Sequence, residues 1–109
     1  MIALMETAIG LGAAEDIARA ADRIAFGSID FAAELGCAHT REALLLARSS
    51  LAIAARIAGK PAPIDGVTRS IRDEAEIEAD ARYGASLGLK GKLLIHPAQI
   101  GPARSGSGP

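Results

Sequence analysis

Apolar residues along the chain alternate between short unbroken runs and longer stretches spaced by three and four. Ile2 to Met5 is the first unbroken run, and it ends at Glu6. Ala13, Ala14, Ile17, Ala18 and Ala21 follow at helical spacing, with Glu15, Asp16 and Arg19 between them. That spacing predicts a helix with one buried face. A second run, Ile24-Ala25-Phe26, leads through Gly27-Ser28-Ile29-Asp30 into a short helical stretch ending at Leu35-Gly36. Thr40 is placed to cap a helix over Arg41 to Ala58, with Leu44, Ala47, Leu51, Ala55 and Ala58 on one face. Gly59 and Pro61 stop it. A third run, Ala62-Pro63-Ile64, leads into Asp65-Gly66-Val67, and its prolines limit its extent. Ser70 is placed to cap a helix from about Ile71 to Leu87. Ile77, Ala81, Gly84 and Ala85 form its apolar stripe, Glu74, Glu78 and Arg82 its solvated side, and Gly88 its stop. The fourth run, Lys92-Leu93-Leu94-Ile95, closes at His96-Pro97. One domain over residues 1–101 is expected, with the Gly/Ser/Pro-rich residues 102–109 as a disordered tail.

Strands alternating with helices predict right-handed βαβ units and a parallel sheet, hence an α/β fold of about four parallel strands. The carboxyl ends of parallel strands lie along one edge, where α/β proteins bind ligands. Glu6, Asp30, Asp65 and His96 each follow one of the four runs and are expected on that rim. Glu6 and Asp30 follow consecutive strands. Neighbouring strands lie about 5 Å apart, so two carboxylates there can share one cation. Hard oxygen donors in small number suit Mg²⁺, which keeps waters and substrate oxygens in its other positions. Gly27 lets the backbone approach a ligand, and the amides of Ile29 and Asp30, opening a helix, can hold a substrate carboxylate. Gly27, Ser28 and Ile29 are therefore candidate substrate-binding residues. Asp65 is a further candidate, with a turn-shaping role beside Gly66 as its plainer reading. For His96 the plainer reading is a structural hydrogen bond. Cys37 has no evident activating base and reads as a small buried or loop residue. The acidic run Asp73-Glu74-Ala75-Glu76-Ile77-Glu78 suits a helix N-terminus, which it solvates.

Composition narrows the picture. The chain has 109 residues, enough for one domain. Half are hydrophobic but only 3% are aromatic, so the core must be built from Ala, Leu and Ile. Such side chains bury little area each, which makes so short a chain marginal by itself. Twelve basic residues against thirteen acidic ones leave a net charge of −1, with no basic field to attract nucleic acid. The apolar runs are too short to cross a membrane. The N-terminus lacks the basic segment of a signal peptide. A single cysteine fits a reducing compartment, so a cytoplasmic location is expected.

The segments Leu4-Met5-Glu6-Thr7-Ala8 and Phe26-Gly27-Ser28-Ile29-Asp30-Phe31-Ala32-Ala33-Glu34-Leu35-Gly36 carry a resemblance. Leu45-Leu46-Ala47-Arg48-Ser49, Ala54-Ala55-Arg56, Pro61 to Val67 and Gly91 to Ile100 continue it in order. Together they resemble the HpcH/HpaI aldolase/citrate lyase family, and most closely its citrate lyase beta-subunit-like CoA-ester lyases. The resemblance implies the C-terminal portion of a TIM-type (β/α)8 barrel. It also implies that Glu6 and Asp30 are the metal ligands and that the metal is Mg²⁺. The implied reaction is carbon–carbon cleavage of a 3-hydroxyacyl-CoA of the citryl, malyl or citramalyl type through a stabilised enolate. The ligand is a CoA ester or a keto acid, and the intact family is expected to be oligomeric. Arg48 could reach an anionic CoA group, though a salt bridge to a neighbouring acid is its plainer role.

The departures from the family pattern set a second expectation. The family's N-terminal half, with an arginine that helps bind substrate, has no counterpart here. The stretch between Ala18 and Ile24 is shorter than usual, which could shift Asp30 relative to Glu6. No residue is nominated as general acid or base. The chain accordingly reads as a lyase or a piece of one, or as a non-catalytic, truncated half-barrel that needs a partner chain. Four strands would leave an open sheet edge and an apolar face that drives association. A complete small α/β binding module is the weaker third reading.

Overall fold

The computed structural model describes residues 1–68, 73–93 and 100–107. Strand β1 (Ile2–Met5) is followed by helices α1 (Ala8–Gly12) and α2 (Ala14–Ala20). Strand β2 (Arg23–Phe26) leads into α3 (Ser28–Leu35), and α4 (Leu45–Ile57), α5 (Glu74–Ser86) and α6 (Ile100–Ser107) complete the order. β1 and β2 pair in parallel, Ile2 opposite Arg23 and Met5 opposite Phe26. The alternation of runs and helices thus gives the expected α/β fold.

Among the described residues two of the expected four strands form. Among the described residues the third run and Lys92, which opens the fourth, make single parallel bridges, Ala25 to Ile64 and Asp65 to Lys92. Pro61 and Pro63 have no amide hydrogen and interrupt the ladder, and its bonds from this run are made by Ile64 and Asp65. Those two amides bond the Ile24 and Gly91 carbonyls at 2.9 and 3.1 Å. The chain order across the sheet is still sequential, with Ile64 beside β2 and Lys92 beyond Asp65. Leu94 and Ile95 of the fourth run, and His96 after it, lie outside the described residues, as does Ser70.

The core lies between β2 and the helices. Ile24, Phe26, Phe31, Leu44, Ala47 and Leu51 belong to one buried cluster with Met5, Ala14 and Ala18. Alanines at the α2–α4 contact let the two helices pack closely, and the Phe26 and Phe31 rings meet edge to face at 5.5 Å. Helix α4 starts later than its pattern predicts. Thr40 Oγ1 accepts from the Ala43 amide at 3.1 Å, so it caps a turn before the helix proper. Arg41 in that turn is drawn to Asp80, at 2.9 Å. Asp73 caps α5, its Oδ1 accepting from the Glu76 amide at 3.1 Å, so the acidic run supplies the cap as well as the first turn.

Residues 100–107 form a helix where the composition suggested a disordered tail. Pro102 falls in its first turn, where a missing amide hydrogen costs nothing. Ala103 is buried and the helix packs along α5, so tertiary contact supplies what the Gly/Ser composition lacks. β1 keeps one open face: Ile2 is 59% and Leu4 53% exposed. Among the described residues no helix is long and apolar enough to cross a membrane.

Candidate functional site

Glu6 directly follows β1, and Asp30 lies in the first turn of α3 just beyond β2. Because the strands are parallel and in register, both segments leave the sheet at the same edge. The Gly27 amide donates to the Met5 carbonyl at 2.8 Å and ties the two exits together. A Cβ at position 27 would stand 2.5 Å from Glu6 Cγ, so only glycine leaves room for the Glu6 side chain to lie across this turn. The Glu6 and Asp30 side chains line one cleft at this edge, close enough for a protonated carboxyl on Glu6 to be favoured by Asp30.

A proton shared with Asp30, some loss of hydration and the like charge of Asp30, in that order, raise the Glu6 pKa above the ordinary glutamate value. A raised carboxyl pKa means that the contribution of protonated Glu6 is fully present below its unfolded-state pKa. It is lost as pH rises through the folded value. Carboxyl-resolved NMR should therefore find Glu6 titrating above the usual range, and Asp30→Asn should bring it down. A Glu6 that titrates normally beside an intact Asp30 would contradict this proximity.

A cleft of about 370 Å³ opens beside the pair. Gly27, Ser28 and Ile29 line it with Glu6 and Asp30, and Leu4, Phe26, Val67 and Leu93 form its apolar wall. Gly27 caps α3 without a side-chain hydrogen bond, which leaves first-turn amides for a ligand. Two carboxylates brought together in this way need a proton or a cation between them. Hard oxygen donors, with room for water and ligand oxygens, fit Mg²⁺. Among the described residues no third His, Cys, Asp or Glu joins such a group.

Asp65 is not on the rim with them. It is 1% exposed and turned toward α4, where its Oδ1 accepts from Arg48 Nε and from the Gly66 amide, each at 2.8 Å. Lys92 Nζ is 3.6 Å from Oδ2, which accepts no hydrogen bond among the described residues. The Asp65 carboxylate expected at the ligand rim is instead engaged by the buried arginine, and the residue joins α4 to the sheet. Arg48 makes the salt bridge expected of it as its plainer role. Burial pulls the Lys92 pKa below the ordinary lysine value against the charges of Asp65 and Asp80. Burial also acts to raise the Asp80 pKa, but hydrogen bonds from Arg41 and Thr68 hold it below the ordinary value.

His39 and Lys92 were missed by sequence reasoning. His39 Nε2 lies 3.0 Å from Ser28 Oγ and also borders a polar cavity of about 180 Å³ with Arg41, Arg48 and Tyr83. A single histidine in a loop carries no periodic signal. Lys92 could have been suspected, as a charge opening an otherwise apolar run.

Residues 1–97 match the profile of the family described as HpcH/HpaI aldolase/citrate lyase. A citrate lyase subunit beta-like protein of Deinococcus radiodurans is 43% identical over 86 residues, covering 77% of this chain and 30% of that protein. A (3S)-malyl-CoA thioesterase of Cereibacter sphaeroides is 38% identical over 102 residues, covering 90% of this chain and 35% of that protein. Among solved structures, the protein CitE of Mycobacterium tuberculosis in complex with magnesium and pyruvate superimposes with a TM-score of 0.86 at 32% identity. That match covers 99% of this chain and 48% of the other. The chain therefore spans about a third of the curated relatives' length and about half of the solved one.

Proposed function

The chain belongs to the HpcH/HpaI aldolase/citrate lyase family, and from that premise we propose that it carries the Mg²⁺ site of a carbon–carbon lyase acting on a CoA ester. The observation that carries the reading is that Glu6 and Asp30, leaving parallel strands at one edge, line the same cleft. The substrate class is a 3-hydroxyacyl-CoA of the malyl, citryl or citramalyl type. The strands are then part of a TIM-type barrel whose remaining portion completes the site.

In this reading Glu6 and Asp30 hold the metal. When bound, Mg²⁺ supplies Lewis-acid stabilisation of the negative charge that develops on the enolate during cleavage. The first-turn amides of α3 orient the substrate carboxylate, at the positive end of the helix. Gly27 keeps the backbone low enough for that approach. Leu4, Phe26, Val67 and Leu93 wall the cleft and displace water, which strengthens each polar contact made within it. The remote Arg48–Asp65 pair keeps the sheet edge rigid.

An amide-resolved NMR titration with Mg²⁺ tests this. Saturable shifts confined to Glu6 and Gly27–Asp30 are expected, and pyruvate added afterwards should shift the same amides only when Mg²⁺ is present. Cleavage of malyl-CoA to acetyl-CoA and glyoxylate is the matching activity assay. A spectrum indifferent to Mg²⁺ would sink the reading.

A second reading is a chain that is inactive until a partner covers the sheet. The exposure of Ile2 and Leu4 on β1 favours it. Sedimentation of the isolated chain separates the two: a well-behaved monomer that binds Mg²⁺ speaks against a required partner for the metal site.

A further inference from the structure

Ser28, which borders the cleft, meets a loop histidine behind the first turn of α3. Ser28 is 1% exposed, and its Oγ lies 3.0 Å from His39 Nε2. His39 belongs to the connection between α3 and the Thr40 turn, so this bond ties that connection to the turn that carries Asp30. Gly66 closes the opposite side. A Cβ there would stand 2.1 Å from Ser28 Oγ and 3.0 Å from the Phe26 carbonyl oxygen, so only a glycine can lie against this hydroxyl. Gly66 is held in turn through its amide, which donates to the Asp65 oxygen that Arg48 binds.

The consequence is mechanical. A buried hydroxyl has no water to fall back on, so losing its partner leaves an unsatisfied polar group. The turn then regains freedom to shift until that group is satisfied elsewhere. Asp30 lies two residues further along the same turn. A carboxylate that must share a cation with Glu6 tolerates little displacement. We propose that His39 is a positioning residue for the Glu6–Asp30 pair, acting through Ser28 and the first turn of α3. The inference rests on the reading of that pair as a Mg²⁺ site.

The test is a Mg²⁺ titration of the wild-type chain, His39→Ala, His39→Gln, Ser28→Ala and the His39→Ala/Ser28→Ala double variant, followed by amide-resolved NMR. His39 reaches Asp30 only through Ser28 and the turn, so the loss expected for each alanine variant is at most about tenfold, the lower bound for a direct outer partner of a metal ligand. The double variant should lose less than the sum of the two single losses, because both break the Ser28–His39 contact. His39→Gln places an amide nitrogen where Nε2 stood and should restore near wild-type affinity. In the metal-free spectra the Ile29 and Asp30 amides should move in both alanine variants and stay in place in His39→Gln. If His39→Ala fails to fold, Ser28→Ala and His39→Gln give the same answer. Wild-type Mg²⁺ binding with unchanged affinity in Ser28→Ala or His39→Ala overturns the positioning role and leaves the metal reading standing. Additive losses in the double variant also overturn it. A wild-type chain that does not respond to Mg²⁺ removes the metal reading, and this inference with it.

Discussion

Asp30→Ala is expected to weaken Mg²⁺ binding by more than about 100-fold, beyond the loss seen when only an outer partner of a ligand is removed. Mg²⁺ gives up its water reluctantly and is held in such sites by one or two carboxylates. Removing one of two leaves a single ligand on a mobile side chain. The same substitution should not destabilise the metal-free protein. Asp30 is exposed, and its carboxylate raises the Glu6 pKa, so at neutral pH its removal relieves repulsion. Affinity should therefore collapse while the thermal midpoint without Mg²⁺ holds or rises slightly. Isothermal titration and thermal unfolding of Asp30→Ala read the two quantities separately. A parallel fall in both would mean that Asp30 is a structural residue and the pair is no metal site.

Arg48→Ala should produce the opposite split, a large loss of stability. Arg48 and Asp65 are both almost fully buried and bonded at 2.8 Å. Deleting one member of a buried pair costs about 3–5 kcal/mol, because the other is left charged and unsolvated. Lys92, at 3.6 Å, retains part of the compensation and places the expected cost near the lower end, about 3 kcal/mol. The Arg48 guanidinium also stands over the Phe26 ring at 5.6 Å, so the substitution loses packing as well. Urea unfolding measures the loss. In a chain with an alanine-rich core and few aromatics, a change of this size is a large part of the total stability. Asp65→Asn, Arg48→Ala and the double variant form a cycle whose coupling energy isolates the pair. A cost below about 1 kcal/mol for Arg48→Ala would place the pair among exposed salt bridges and refute its burial.

The contrast between Asp30 and Asp65 marks what could be read in advance. Both follow apolar runs, and both were expected on the rim. Asp30 is reached through Gly27-Ser28-Ile29, a turn opening a helix, and that local pattern already places it beyond the strand. Asp65 sits within the strand-like segment itself. Which way such a side chain points depends on the partner waiting for it. Arg48 lies 17 positions earlier on another element, and that partnership has no local signature. The same holds for His39 and Ser28, which meet only because the connection after α3 folds back over its first turn.

By itself the sequence determined the α/β alternation, the parallel pairing of the first two runs, the helix faces and the joint exit of Glu6 and Asp30. These follow from periodicity and chain order, which are local or nearly so. The tertiary structure alone decided that prolines cut the third strand to single bridges and that residues 100–107 form a helix against α5. It alone decided that Asp65 turns inward to Arg48. Each of those outcomes is a competition between distant groups for burial and hydrogen bonds, and no window of the sequence contains both competitors.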